Sequence, residues 1–310
     1  MEDLLSINSE VIRPVLPLLL KDKTTKRNIL WATGSYAHLG GTYSEQQQIQ
    51  RDQVAGLFAA DLQPRVTKDA QAQATRTKKK AEVFTPSWIC NKMNNYCDED
   101  WFGRPDVFNV EGEQSWTPTV DRIVFPPGKT WQQYVDSRRL EITCGEAPFI
   151  VSRYDTSTGE IIPLERRIGV LDRKMRIINE NAQTEDEWFK WTVRAFQSVY
   201  GYEYQGDNLL IARINLVNTF VDYVYERWNR NPTIKELRSV ANIVSWNFWQ
   251  MDGFKNTVPF AAPQQKSELE QISLLDDLQQ EERTGTCSAC RVFDWRDDRS
   301  MPYTDIIQKG

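Results

Sequence analysis

The chain has 310 residues, 40% hydrophobic and 26% charged, with a formal net charge of −5. These proportions are those of an ordinary globular protein, and the acidic balance excludes a protein that coats nucleic acid by bulk charge. Any nucleic-acid contact therefore needs a local basic strip.

The amino-terminal stretch MEDLLSINSE lacks a basic region followed by an apolar run, and no segment approaches 18 apolar residues. With five cysteines and no secretory signal, the expectation is a cytoplasmic protein with reduced thiols. His38, in YAHLGGTY, is the single histidine. It sits in an expected loop, which leaves Ser–His or Cys–His nucleophilic chemistry little basis. The 11 tryptophans are compatible with flat-ring stacking, although packing claims most such residues.

In chain order, residues 1–22 read as helix interrupted by Pro14 and Pro17, followed by a basic turn and a short apolar strand at Asn28–Ala32. Residues 44–62 have helical polarity. The segment 63–86 carries Arg65, Lys68, Arg76, Lys78, Lys79 and Lys80, the densest basic run in the chain. It reads either as a solvated face or as a phosphate-contacting strip, with Arg76, Lys78, Lys79 and Lys80 as candidate DNA contacts.

TPSWICNKM predicts a helix opened by Thr85 with Pro86 in its first turn. Residues 103–130 read as loops with a strand at Arg122–Phe125, and Leu140–Thr143 as a buried strand. Helices are expected over 164–180 and 184–198, the second with a Thr184/Glu187 capping box. VYGYEY is a strand. The segment 206–228 is a long amphipathic helix, with Leu210, Ile214, Val217, Val221 and Val224 on one face. TIKELRSVAN is a helix and IVSWNFWQMD a strand. Residues 262–286 suit a helix and linker, before a tail carrying RVFDWRDD. Strands alternating with helices indicate an α/β sheet with crossovers. The domain reading is a mainly helical basic segment over 1–80, a cofactor-binding domain over 81–262, and a linker and C-terminal segment over 263–310.

Open α/β sheets bind ligands at the carboxyl ends of their strands. The first such end is Thr143-Cys144-Gly145-Glu146-Ala147-Pro148-Phe149. Gly145 permits close backbone approach. Ala147 replaces the second glycine of a pyrophosphate turn, and Pro148 removes an amide donor, which argues against a dinucleotide. Glu203 ends the next strand, where an acid can bind a ribose diol. Asp252 ends the third, where a carboxylate can accept an adenine amine. One glycine turn and two successive acids suit an adenosine without phosphates.

That pattern resembles S-adenosylmethionine-dependent methyltransferases, specifically the N6-adenine DNA methyltransferases of restriction–modification systems, including proteins labelled restriction endonuclease subunit M. Phe84-Thr85-Pro86 is similar to the family's F-x-T-P element, which packs on the methionine part of the cofactor. Glu141, Cys144, Gly145, Ala147 and Phe149 match its first cofactor motif. Glu203 matches the ribose-binding acid and Asp252 the adenine contact. The resemblance covers about residues 81–256. It implies a Rossmann-like sheet with helices on both faces, S-adenosylmethionine as cofactor, and DNA with a restriction or specificity subunit as partners.

The family's Asn/Asp-Pro-Pro-aromatic motif, which receives the flipped target base, is absent. VPFAAP at 258–263 has prolines and an aromatic but no preceding Asn or Asp. Asp294 and Trp295 are the substitutes, Asp294 to accept the base amine and Trp295 to stack, against a surface acid and a packing ring as the alternative. Cys90, Cys97, Cys287 and Cys290 could form a four-thiolate zinc site, but the wide spacing of the first pair favours two reduced thiol pairs, and no metal is expected. Three functions follow: an adenine-N6 DNA methyltransferase, a methyltransferase-like subunit acting with a partner, or a degenerate interaction protein in phage–host conflict.

Overall fold

The computed structural model describes residues 4–5, 7–56, 62–67, 85–261 and 289–307. Its organising element is a three-stranded parallel sheet of β3 (Arg139–Glu141), β4 (Val199–Glu203) and β5 (Phe248–Gln250) in that spatial order. Arg139 pairs with Val199, and Gly201 with Phe248. Parallel neighbours need long crossovers. These are α5 (Val170–Asn181) and α6 (Glu185–Gln197) between the first two strands, and α7 (Gly206–Trp228) and α8 (Ile234–Asn247) between the second two. The architecture is α/β, and all three strands deliver their carboxyl ends to the same edge.

The crossover helices begin and end where side chains satisfy their backbone. Thr184 accepts the Glu187 N–H at 3.2 Å, and three acids occupy the first turn of α6, favourable at a helix amino end. The expected capping box is shifted by one residue, because the Glu187 carboxylate takes the Gln183 N–H. Thr233 and Glu236 form a complete box on α8. Asn229 closes α7 in a left-handed conformation. From Gly206 to Phe220, α7 is buried around its whole circumference, so it is a central helix rather than the one-sided amphipathic element its spacing suggests. Both α7 and α8 pack on β4 and β5. No helix among the described residues is long and apolar enough to cross a membrane.

Several expected elements take other forms. The amino-terminal segment is not mainly helical where described. It holds α1 (Leu16–Leu19), α2 (Arg51–Val54), 3-10 turns and isolated bridges. Pro14 and Pro17 lack the N–H a longer helix requires, and Ile12, Val15, Leu16 and Leu19 are buried in the main core without one. The 28–32 strand reduces to bridges from Asn28 to Lys21 and from Leu30 to Gln48.

No strand forms at 122–125, where the Ile123 N–H is taken by the Glu180 carboxylate. The antiparallel pair β1 (Asn109–Glu111) and β2 (Trp116–Pro118) lies earlier. The strand expected over IVSWNFWQMD is helical through Asn247 because Ile243 and Val244 face the core from α8. Strand β3 is half-exposed rather than buried, with Leu140 45% accessible. The remaining elements are α3 (Ser87–Phe102), α4 (Trp131–Val135), α9 (Tyr303–Ile307) and the hairpin of β6 (Arg291–Asp294) and β7 (Arg299–Pro302).

Candidate functional site

A cavity of about 910 Å³ opens at the carboxyl ends of β3, β4 and β5, a volume suited to a cofactor-sized ligand. Thr85, Glu141, Cys144, Gly145, Phe149, Glu203 and Asp252 all line it. The structure thus brings together residues spread over nearly 170 positions of the chain. Ala147 is fully buried behind the wall, and Pro86 caps α3 beside it. Phe84 and the basic residues Arg76, Lys78, Lys79 and Lys80 lie outside the described residues.

The turn after β3 forms the floor. Thr143, Gly145 and Ala147 have φ of 48°, 54° and 63°. Two of these are not glycine, and a threonine in that region is strained. The Gly145 N–H donates to the Glu203 carboxylate at 2.9 Å, and the Gln205 N–H donates to its other oxygen at 3.0 Å. Glu203 is only 7% exposed. Its carboxylate fixes the first turn to the second strand end and still faces the cavity.

Glu141 accepts a long bond from the Phe149 N–H at 3.5 Å. Its second oxygen, Oε2, is buried without a hydrogen-bond partner among the described residues. Burial pushes its pKa well above the usual carboxylate range, and the charge of Glu203 adds to this against the amides of Phe149 and Ile150. Burial likewise raises the Cys144 thiol, so it is no thiolate nucleophile.

Thr85 does not cap α3. The Asp155 carboxylate takes the Ser87 N–H at 2.7 Å instead, and the Thr85 carbonyl accepts from Thr156 Oγ1 at 2.9 Å. Asp252 accepts the Phe254 N–H at 3.1 Å and pairs with Lys255 at 3.3 Å. It therefore closes its own turn while lining the cavity.

Sequence reasoning missed Glu146, Tyr202 and Phe254. Glu146 was visible between Gly145 and Ala147, but its fixing by the Tyr154 hydroxyl at 2.6 Å is a tertiary contact. Phe254 is fully exposed at the mouth. Glu146 and Glu203 stand on its walls with Asp252, which Lys255 pairs, and Glu141, whose burial favours the neutral form; with no lysine or arginine among the lining residues, the cavity suits a neutral or cationic ligand better than a phosphorylated one.

Asp294 and Trp295 do not join this cavity. Asp294 ends β6 and accepts from Arg138 Nη2 at 3.0 Å, and Arg138 precedes β3. Trp295 Nε1 donates to Asn247 Oδ1 at 2.7 Å, and Asn247 precedes β5. Both residues thus stand at the amino ends of the parallel strands, away from the lining acids. Asp294 joins an ion pair with Arg138, and Trp295 packs on Phe293 with ring centroids 4.5 Å apart, so the two residues expected to receive the target base lie apart from the residues expected to hold the cofactor.

Among the described residues no group of three metal-ligating side chains converges. Cys90 donates to the Thr85 carbonyl and Cys290 to that of Gln250. Cys287 lies outside the described residues.

Comparison with family models, curated proteins and solved structures returned no match to this chain.

Proposed function

We propose that the chain binds S-adenosylmethionine at the carboxyl ends of β3, β4 and β5 and acts in methyl transfer to DNA, with adenine N6 as the acceptor. On this reading the three parallel strands are the core of a Rossmann-like methyltransferase sheet. The observation that carries it is the Glu203 carboxylate, which holds the Gly145 turn across two strand ends while lining a cavity that suits a phosphorylated ligand poorly. Glu203 would take the ribose diol, Asp252 the adenine amine, and Thr85 with Glu141 the methionine end. A sulfonium cation suits walls that carry Glu146 and Glu203 and no lysine or arginine among the lining residues.

The placement of Asp294 and Trp295 favours a second reading, a cofactor-binding subunit that relies on a restriction or specificity partner for the target base. Calorimetric titration with S-adenosylmethionine, followed by transfer of labelled methyl to mixed DNA, tests both. Absence of binding at millimolar cofactor overturns the reading. Binding without transfer selects the partner-dependent form.

A further inference from the structure

The turn Lys21–Arg27 packs against Trp246 in the last turn of α8, two residues before β5 begins. This is the end of the sheet opposite the cavity. The turn reads KDKTTKR, with four cations and one acid in seven residues. The acid is spent internally: Asp22 is buried and accepts from the Thr24 and Thr25 N–H groups and the Thr25 hydroxyl. Two of the cations converge. Lys23 Nζ lies 5.5 Å and Lys26 Nζ 5.2 Å from the centre of the same ring, Trp246. Lys23 also donates to Asn242 Oδ1 at 2.8 Å, one helical turn earlier on α8.

Beneath them lies Arg213, fully buried on α7. Its guanidinium donates to the carbonyls of Leu19, Lys21, Ser245 and Phe248 and, among the described residues, hydrogen-bonds no carboxylate. Carbonyls at the ends of α1 and α8 solvate that charge and the nearby Asp22 carboxylate offsets part of it, which still leaves five cations to one acid here. Burial lowers the Lys23 pKa to about 8, helped by the charges of Arg213, Lys26 and Lys21. On the neighbouring hairpin, Asp294 and Asp297 are each paired with an arginine.

Two ammonium groups on one ring over a buried guanidinium leave a local excess of positive charge in an otherwise acidic chain. An anion between them would relieve it. Four cations along one turn form a track longer than a single phosphate needs. The rings beside it, Trp246, Phe293 and Trp295, form a partly buried aromatic row with neighbouring centroids 5.3 and 4.5 Å apart. Cations beside aromatic faces are the combination that holds unpaired nucleic-acid strands.

We propose that Lys21, Lys23, Lys26 and Arg27, with Trp246, form a binding surface for the phosphodiester backbone of a nucleic acid, preferring a single strand. This surface is separate from the cavity and does not depend on the methyltransferase reading.

The test uses the full chain and a fluorescently labelled single-stranded oligonucleotide, with anisotropy followed over a salt series. Replacing Lys23→Gln and Lys26→Gln together removes two phosphate contacts. The log–log salt slope should then flatten by about 1.4 for a single strand, and affinity at low salt should fall at least roughly tenfold. Trp246→Ala should weaken the single strand more than a duplex of equal charge. Lys92→Gln with Lys190→Gln, exposed cations elsewhere, should leave the slope unchanged. Thermal unfolding of each variant separates lost binding from lost structure. An unchanged slope in the Lys23/Lys26 variant overturns the proposal, as does wild type that binds neither strand form at low salt. Inorganic polyphosphate binding as tightly, with Trp246→Ala silent, overturns the assignment to nucleic acid.

Discussion

Glu203 offers the sharpest test of how the cavity is built, because one carboxylate serves two backbone donors from different segments. In Glu203→Ala the N–H groups of Gly145 and Gln205 lose acceptors now at 2.9 and 3.0 Å. The side chain they flank is 7% exposed, so water replaces it poorly. A stranded buried donor such as the Gln205 N–H costs about 1–3 kcal/mol, and the part-buried Gly145 N–H falls in the lower part of that range. The pair therefore predicts a loss towards the lower end of about 2–6 kcal/mol, a large share of the roughly 5–15 kcal/mol that holds a domain folded. Glu203→Gln keeps one amide oxygen and sets an NH₂ against the other donor, so about half that loss is expected, 1–3 kcal/mol. Denaturant unfolding monitored by tryptophan fluorescence reads both variants. Calorimetry in parallel should show Glu203→Gln weakening S-adenosylmethionine binding by about 5- to 150-fold, the same energy range applied to the ribose contact. A Glu203→Ala protein within 1 kcal/mol of wild type would refute the view that this acid anchors the turn. Unchanged cofactor binding in a folded Glu203→Gln protein would remove Glu203 from the ribose site.

Gly206→Ala should destabilise the fold severely, visible as loss of soluble protein or a collapsed unfolding midpoint, because the new Cβ would stand 1.9 Å from the Leu30 carbonyl oxygen. Glu141 titrates above its ordinary value near 4.5, so the folded state holds its proton more tightly than the unfolded state does. That contribution favours folding in acid and is lost as pH rises above the ordinary value. Glu141→Gln should then equal wild type near pH 4 and become increasingly more stable towards neutrality, in unfolding curves taken across pH; a constant difference would contradict it. For Asp294, burial raises the pKa, but the Arg296 N–H and the charge of Arg138 outweigh it and leave a net lowering. Asp294→Asn should cost about 1 kcal/mol at neutral pH, with the difference vanishing as the wild-type acid protonates, and should leave cofactor affinity and any methyl transfer unchanged; loss of transfer alone would restore it to the reaction.

The parts of the site legible in the sequence were those carried by strand ends. Glu203 and Asp252 each end a short, largely apolar run and Glu141 and Gly145 flank Ile142, so their convergence needed only the rule that parallel strands share a direction. The long helices were equally plain, since Thr184, Thr233 and Asn229 mark their ends by local chemistry. What escaped depended on partners distant in the chain. Asp294 beside Trp295 has the residue types a base-binding loop requires, and only Arg138 and Asn247 reveal which end of the sheet it occupies. Pro14 and Pro17 shorten the helix expected around them, while the apolar side chains of that segment are buried all the same. Arg213 gave one unread signal, a cation within the apolar run of α7.

Leu30 and Gln250 carry a consequence for how the molecule is made. The Gln250 side chain both accepts the Leu30 N–H and donates to the Leu30 carbonyl, so the early segment is latched to the last parallel strand. On a ribosome adding about 5–20 residues each second, the 220 intervening residues take about 11–44 s to appear. Throughout that interval Ile29 and Trp31, wholly buried at the end, have no finished sheet to lie against. The emerging chain therefore carries this apolar segment for that interval before the strand that latches it has been made.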